Sequence, residues 1–137
     1  MDDLANMYSD KEDEYCLTNK ERKRLQHEIK SYVQTYFKNK LGKASDFSKV
    51  IIWNDMLILR GQYFLTQPEK YIIQTPEGCE MVKAARMLVA KQHSIDNLTY
   101  LEERLRAKCI HQTYDVDARN DYWIQVMIFD KVLIEQK

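Results

Sequence analysis

The sequence predicts an α+β fold in which two helices lie on one face of a four-stranded, mainly antiparallel sheet. Apolar residues recur every three to four positions in two long segments, 20–41 and 81–107, as in amphipathic helices. Two other segments, 50–60 and 109–129, each hold a pair of short β-branched and aromatic runs separated by turn residues. Because runs joined by a short turn pair as hairpins, the order α-β-β-α-β-β predicts a two-layer sandwich.

Length and composition indicate one ordinary globular domain. The chain has 137 residues, of which 45% are hydrophobic and 31% charged, enough for a core but short for a two-domain enzyme. Residues 1–14 carry six acidic side chains against one lysine and have no apolar periodicity. We therefore expect a flexible acidic arm over residues 1–17 and a single domain over residues 18–137.

Cysteine usage and hydropathy indicate the compartment. The three cysteines have no C-x-x-C spacing, which argues against a disulfide framework and against a zinc site. No apolar run approaches the roughly 18 residues of a membrane span, and the N-terminus is acidic where a signal peptide is basic. We expect a soluble cytoplasmic protein that is at most peripheral to a membrane.

The first predicted helix begins at a capping box formed by Thr18 and Glu21 and ends at Gly42. Its opposite face is basic, which amphipathicity alone explains. The apolar stripe of this helix consists of Leu25, Ile29, Tyr32, Val33, Tyr36, Phe37 and Leu41.

The first hairpin is predicted from two apolar runs, 50–53 and 56–60, which flank a two-residue turn at Asn54 and Asp55. Both runs are nearly continuous instead of alternating with polar residues, a pattern typical of strands that are covered on both faces. We expect the helices to cover one face and a partner or second subunit to cover the other, which predicts a homodimer.

Two helix starts follow the hairpin. Thr66 and Glu69 form a second capping box, with Pro68 in the first turn, and Thr75 precedes Pro76 in the same way. From there an apolar stripe through Met81, Ala84, Ala85, Leu88, Ile95, Leu98, Leu101 and Leu105 predicts a helix of about 30 residues, ending near residue 107 and bending near Ser94. Residues 109–116 and 122–129 then predict the second hairpin.

The segment 64–86 and its flanks resemble a bacterial family named as the C subunit of a Na⁺-translocating, membrane potential-generating system, here called MpsC-like. The resemblance covers about residues 20–130 and implies a soluble accessory of a membrane ion-handling system, without a catalytic residue to carry over. A G-K-G-P-like stretch usual in the family keeps only Gly42 and Lys43 here. The matching residues are Leu65, Thr66, Pro68, Glu69, Lys70, Thr75, Glu77, Gly78, Val82, Lys83 and Arg86, flanked by 55–58, 114–116 and 124–129.

Six residues are candidates for an interaction or structural site. Glu69 and Glu77 resemble a carboxylate pair, but both stand where helix starts favour acidic residues, so capping is the preferred interpretation. Arg86 suits a fork-like pair with a carboxylate, and Glu77 or Asp115 is the expected partner; anion binding and plain exposure to solvent are the alternatives. The candidates are Thr66, Glu69, Glu77, Gly78, Arg86 and Asp115.

Metal, cofactor and thiol chemistry receive little support. His111 and Cys109 are two apart on one predicted strand and hence on one face, but they lack further ligands. Cys79 lies near a helix start, where a lowered thiol pKa is one interpretation and a small buried side chain the preferred one. We expect no catalytic residue, metal or cofactor.

Two functional hypotheses remain. The leading one is a non-enzymatic cytosolic module that binds as a homodimer and assists or regulates a membrane-associated ion-handling complex. The alternative is a nucleic-acid-binding or regulatory protein that uses the basic helix 20–41, a surface that an anionic membrane would also attract. The aromatic residues of that helix lie on its apolar stripe and not among its basic side chains, which disfavours nucleic acid.

Overall fold

One antiparallel sheet of four strands is the centre of this protein, in a computed structural model that describes residues 15–135. Residues 1–14 of the predicted acidic arm lie outside the described residues. The spatial strand order is β1-β2-β4-β3, with antiparallel pairing throughout. The elements are α1 (Asn19–Leu41), β1 (Phe47–Trp53), β2 (Met56–Gln62), α2 (Gln67–Ile72), α3 (Pro76–Asp96), α4 (Leu98–Leu105), β3 (Cys109–Asp117) and β4 (Tyr122–Phe129).

The predicted fold class is confirmed, because two hairpins form the sheet and helices cover one of its faces. The predicted second helix of about 30 residues is wrong in detail, since the region between the hairpins contains α2, α3 and α4. Thr75 and Pro76 separate α2 from α3, because a residue before proline is disfavoured in the helical conformation. Asn97 separates α3 from α4 with φ −108° and ψ 3°, three residues beyond the expected bend at Ser94.

Helix α1 has the predicted boundaries and the predicted buried stripe. Thr18 accepts a hydrogen bond from the N–H of Glu21, and the Glu21 carboxylate accepts one from the N–H of Thr18. Gly42 ends the helix at φ 77° in the left-handed region. The N–H of Ile52 donates to Gln26 Oε1 at 2.8 Å, which fixes the helix against strand β1.

The inner face of the sheet carries the main core. Residues of β1, β2 and β4 alternate between this face and the outer one, as the two-residue period of a strand requires. The inner residues pack with Leu25 and Ile29 of α1 and with Leu101 and Leu105 of α4. The buried inner residues of the three strands are Val50, Ile52, Leu57, Leu59, Met127 and Phe129.

The outer face of the sheet carries the other half of each strand. Its central positions are apolar, and no described helix contributes to the core clusters through this face. The prediction that the first hairpin needs cover on both faces is therefore confirmed on the inner side, while the outer side stays open within residues 15–135. The apolar residues of the outer face are Ile51, Trp53, Met56, Ile58, Ile124, Val126 and Ile128.

Much of the apolar stripe predicted for the second helix faces solvent. Met81, Leu88 and Ile95 are 70%, 69% and 60% exposed, and Ala84 and Ala85 between them are exposed as well. The side of α3 that is buried instead contains Gly78, Val82, His93 and Ser94. The prediction that this stripe faces the core is wrong for α3 and correct for Leu101 and Leu105 of α4. We call the exposed residues Met81, Ala84, Ala85, Leu88 and Ile95 the α3 stripe.

The two ends of the described chain meet beside the first hairpin. Leu17, at the end of the predicted arm, is buried and forms a parallel bridge with Ile134. The N–H of Leu133 donates to the carbonyl of Asn54 at 2.7 Å, so the end of the described chain also contacts the hairpin turn. Among the residues that the structure describes, no helix combines the length and apolar character needed to cross a membrane.

Candidate functional site

The start of α2 is joined to the middle of α3 by a two-point ion pair between Glu69 and Arg86. Arg86 Nε donates to Glu69 Oε2 at 2.8 Å, and Arg86 Nη2 donates to Glu69 Oε1 at 2.5 Å. Glu69 Oε1 also accepts from the backbone N–H and from the hydroxyl of Thr66, both at 2.9 Å. The carboxylate thus caps one helix and binds the arginine of the next, which explains why these three residues occur together.

The pair is largely shielded from water. Hydrogen bonds next to it connect three loops of the protein. The side chains of Arg86 and Glu69 are 10% and 18% exposed. The Arg86 guanidinium lies over the ring of Phe64, 5.1 Å from its centroid. The N–H groups of Phe64 and Leu65 both donate to Asp121 Oδ1, at 2.9 and 3.0 Å, and Lys43 Nζ donates to the carbonyl of Leu65 at 3.1 Å.

The electrostatics of the site favour the ionised carboxylate. Burial on its own raises the pKa of Glu69, because it removes the charged form from water. The hydrogen bonds from Arg86 and Thr66 outweigh that effect and hold the pKa of Glu69 below its ordinary value. A carboxylate held in this way serves as a charge partner and not as a proton donor near neutral pH.

The predicted partner of Arg86 is therefore wrong. Glu77 is exposed in the first turn of α3, and Asp115 lies on the edge strand β3, with Lys83 Nζ at 3.8 Å from its Oδ1. The structure brings together Thr66, Glu69 and Arg86 of the six candidates, and it leaves Glu77 and Asp115 apart from them. Because α2 turns back against α3, the carboxylate 17 residues upstream lies closest to Arg86.

Gly78 has a steric role at this junction. A Cβ atom at Gly78 would collide with the carbonyl group of Ile72 at the end of α2. The N–H of Gly78 donates to the hydroxyl of Thr75 at 3.0 Å, which caps α3. Only glycine therefore permits the close approach of α2 and α3 that places Glu69 beside Arg86.

A narrow, mostly apolar cavity adjoins the ion pair on the helical side of the sheet. It lies among Phe37, Phe64, Arg86, His93 and Trp123. Its volume of about 40 Å³ suits a few water molecules and not a nucleotide or a drug-sized molecule. Its lining also includes Ser45, whose hydroxyl accepts from Trp123 Nε1 at 3.0 Å, and both ring nitrogens of His93 are hydrogen-bonded to other side chains.

A buried network of hydrogen-bonded polar side chains crosses the core beside the cavity. The sequence patterns did not predict it. The Tyr32 hydroxyl donates to Asn97 Oδ1 at 2.9 Å, and Asn97 Nδ2 lies 2.8 Å from His93 Nδ1. His93 Nε2 lies 2.8 Å from Gln125 Oε1, and Gln125 Nε2 donates to Gln112 Oε1 at 3.0 Å. The i, i+4 spacing of His93 and Asn97, in line with buried Leu101, was the available signal.

Each side chain of this network has a fixed hydrogen-bonding role. Because Asn97 Oδ1 accepts from Tyr32, its amide nitrogen faces His93 and donates to Nδ1. The imidazole is then neutral and donates through Nε2 to Gln125. Burial lowers the pKa of His93, which agrees with a neutral ring.

The structure changes the interpretation of Cys109 and His111. An irregularity in the pairing of β3 with β4 falls between these residues, so the prediction of a shared face does not follow from simple strand alternation. Burial raises the pKa of the Cys109 thiol, which therefore stays protonated. Residues 15–135 contain no group of three or more His, Cys, Asp or Glu side chains that could hold a metal ion.

The aromatic residues of α1 are engaged in packing. Tyr32 stacks on Tyr100 with ring centroids 3.7 Å apart, and Phe37 packs at 5.6 Å from Trp123. The Tyr36 hydroxyl donates to Asp96 Oδ2 at 2.6 Å; burial and this bond raise the pKa of Tyr36 to about 12. Rings held in this way do not form a platform for stacking bases.

Comparisons with known proteins agree with one another. The family model described as Na⁺-translocating membrane potential-generating system (MpsC) matches residues 21–131. The uncharacterized protein YrhF of Bacillus subtilis (strain 168) is 30% identical over 112 residues, which cover 81% of this chain and 92% of that protein. No solved structure matches significantly.

Proposed function

Because this chain belongs to the MpsC family, we propose that it is a non-enzymatic, cytoplasmic accessory module that binds a protein of a membrane-associated, membrane potential-generating Na⁺ system. In this proposal the chain is peripheral to the membrane and assists or regulates the complex through contact. The observation that carries the proposal is the α3 stripe, an apolar helix face that is open to solvent.

The α3 stripe has the spacing of a helix-docking surface. Met81, Leu88 and Ile95 are seven residues apart, so they lie in one line along the helix, as do the core positions of a coiled coil. Exposed Ala84 and Ala85 between them let a second helix approach closely. An apolar stripe of this kind favours an amphipathic helix as the partner.

Two further large apolar side chains are exposed shortly before α3. Tyr71 and Ile72 of α2 are 76% and 41% exposed, one short turn before the start of α3. Soluble proteins seldom expose neighbouring large apolar side chains unless they contact a partner. Burying three exposed side chains of Leu or Met size favours association by roughly 5 kcal/mol before the entropic cost of binding is subtracted.

A binding role also fits the state of the polar candidates. Arg86 binds both carboxylate oxygens of Glu69, and both ring nitrogens of His93 have hydrogen-bond partners. These groups hold elements in place, and their hydrogen bonds leave them poorly suited to attack or protonate a substrate. Binding through an apolar surface therefore explains the molecule better than catalysis.

The test measures binding of the purified chain to native membrane vesicles from a bacterium that encodes it. We expect the chain to sediment with these vesicles and to stay in the supernatant when liposomes of the same lipids, without protein, are used instead. Leu88→Glu should weaken sedimentation at least tenfold, because it places a charge at the centre of the α3 stripe. Thr99→Glu, at an exposed position of α4, is the matched control and should bind as the unaltered chain does.

A functional measurement accompanies the binding test. Vesicles stripped of peripheral proteins should regain Na⁺-dependent membrane potential, read by a potential-sensitive dye, when the chain is added back, and Leu88→Glu should fail to restore it. Equal sedimentation of the Leu88→Glu and Thr99→Glu variants would overturn the role of the α3 stripe. Equal binding to protein-free liposomes would identify the lipid surface as the target instead.

A further inference from the structure

The outer face of the sheet orders its residues in rows that run across all four strands. One row holds Lys49, Arg60, Ile124 and Asp115 in the strand order β1-β2-β4-β3. The next row holds Ile51, Ile58, Val126 and Thr113, and the third holds Trp53, Met56, Ile128 and His111. Two rows are thus mainly apolar, and one row is basic at its β1 side and acidic at its β3 side.

From this pattern we infer that a second copy of this chain covers the outer face, in a face-to-face dimer whose two-fold axis runs parallel to the strands between β2 and β4. Rotation about such an axis reverses the strand order within each row and leaves the row where it is. Strand β1 of one copy then lies over β3 of the other, and β2 lies over β4. This surface is separate from the α3 stripe, so the inference does not rest on the proposed function.

The charges select this orientation. Lys49 of one copy lies over the acidic end of the same row, Asp115, in the second copy, and the same contact occurs again by symmetry. Arg60 lies over Ile124 of the second copy, one strand away from Asp115 of that copy, and Asp117 continues the acidic side of β3. Lys49, Arg60 and Asp115 are exposed in the single chain, and the 3.8 Å contact of Asp115 with Lys83 leaves the Asp115 side chain 67% exposed, so Asp115 can also meet Lys49 of the second copy.

The apolar residues fit the same orientation. The axis passes between Ile58 and Val126. Ile58 of the first copy therefore lies over Val126 of the second, and Val126 of the first lies over Ile58 of the second. Met56 lies over Ile128 in the next row, and Trp53, which is 58% exposed, covers the β3 edge at His111. Tryptophan is enriched among the residues that contribute most of the binding free energy at protein interfaces.

Other axes match the face less well. A two-fold axis across the strands would place the charged row of one copy over an apolar row of the other, which would bury unpaired charges. The axis parallel to the strands also keeps the strands of the two sheets nearly aligned, as in most sheet-on-sheet packings. An isologous contact of this kind closes after two copies and yields a dimer.

Light scattering and charge exchange test the inference. The unaltered chain should scatter as a particle of twice the chain mass of 16.4 kDa. Lys49→Asp or Asp115→Lys should each weaken the dimer about tenfold or more, because either change creates two like-charged contacts. Lys23→Asp on the exposed side of α1 is the control and should leave the dimer unchanged.

Mixing the two charge-reversal variants tests whether residues 49 and 115 meet across the dimer interface. Lys49→Asp chains mixed with Asp115→Lys chains should form a heterodimer that binds as tightly as the unaltered protein, because both contacts then join opposite charges. The double variant Lys49→Asp/Asp115→Lys should also dimerise on its own. Ile58→Gln, at the centre of the face, should give a monomer by light scattering. Its circular dichroism should show that the chain is folded.

Three results would overturn the inference. One is an unaltered chain that stays monomeric at millimolar concentration, which would leave the outer face for a different partner. Another is a dimer that the single charge reversals do not weaken, and the last is a mixture without heterodimer. Because Leu88→Glu should leave the dimer intact, failure of the dimer and failure of the proposed function are distinguishable.

Discussion

Arg86 binds Glu69 through two parallel hydrogen bonds, and this contact joins two consecutive helices that Thr75 and Pro76 separate. The same carboxylate caps the first of these helices through Thr66. A change at one of the three residues therefore affects the helix cap, the ion pair and the angle between α2 and α3 at once. Because of this coupling, the junction of α2 and α3 is the part of the candidate site that tolerates substitution least.

Loss of the arginine should cost much more stability than loss of an exposed one. Arg86→Ala leaves the Glu69 carboxylate shielded from water without its main partner, and we expect the free energy of unfolding to fall by about 3 kcal/mol. Arg104→Ala is the control, because Arg104 also contacts a carboxylate, Glu28, at 2.5 Å but both side chains are 44% exposed. That change should cost less than about 1 kcal/mol. Urea denaturation measures both, and equal losses would contradict the prediction.

The pKa of Glu69 gives the junction an acid dependence. Because its pKa is lower in the folded chain than in the unfolded one, the pair contributes fully to stability above about pH 4.5, and this contribution is lost as pH falls through the folded value. Glu69→Gln should therefore flatten the pH dependence of unfolding below pH 4.5. Thermal denaturation between pH 3 and pH 6 measures it, and an unchanged curve would argue against the ion pair.

Gly78→Ala should destabilise the protein more than Gly42→Ala. The new methyl group at residue 78 collides with the backbone of Ile72, so α2 and α3 must separate, and we expect a loss of about 3 kcal/mol or more. At Gly42, φ is 77° and no atom lies within 4 Å of the added methyl group, so the cost is the left-handed backbone alone, about 1 kcal/mol. Denaturation midpoints of the two variants measure the difference, and the reverse order would contradict the close approach.

His93 should make the protein less stable in mild acid. Its pKa is lower in the folded chain than the ordinary value of 6.5, so the unfolded chain binds the additional proton. The contribution of neutral His93 to the free energy of unfolding is fully present above about pH 6.5. It falls as pH decreases toward the folded pKa, by up to about 1.4 kcal/mol per pH unit. His93→Gln should reduce this slope between pH 7 and pH 5. An identical slope in the His93→Gln variant would show that the ring does not carry the effect.

The two capping threonines should differ in importance. Thr18→Ala removes an exposed cap at the start of α1 and should cost about 1 kcal/mol. Thr66→Ala removes a cap whose glutamate also binds Arg86, so we expect roughly twice that loss. The free energies of unfolding from urea titrations decide between coupled and independent caps, since independent caps give equal losses.

Local features of the fold were predictable because they depend on neighbouring residues. The capping boxes at Thr18 and Thr66 and the turn at Asn54 occur where the sequence places them, since each involves residues at most three apart. The partner of Arg86 was not predictable in this way, because it depends on how tightly the chain turns between α2 and α3. The helix break at Asn97 was predicted only as a bend near Ser94, three residues too early, since the periodicity of the apolar residues continues through it.

The amino-acid sequence by itself determined the strands, their antiparallel hairpins and the caps at which α1, α2 and α3 begin, because period, caps and turn residues act over short distances. The motif residues of segment 64–86 indicated the family. Only the tertiary structure decided which apolar side of α3 is buried, since Met81, Leu88 and Ile95 form as regular a stripe as core residues do. It also decided that Glu69 pairs with Arg86 and that His93 joins Asn97 and Gln125. Such contacts depend on the angles at which whole helices meet the sheet, and those angles result from the packing of the entire core.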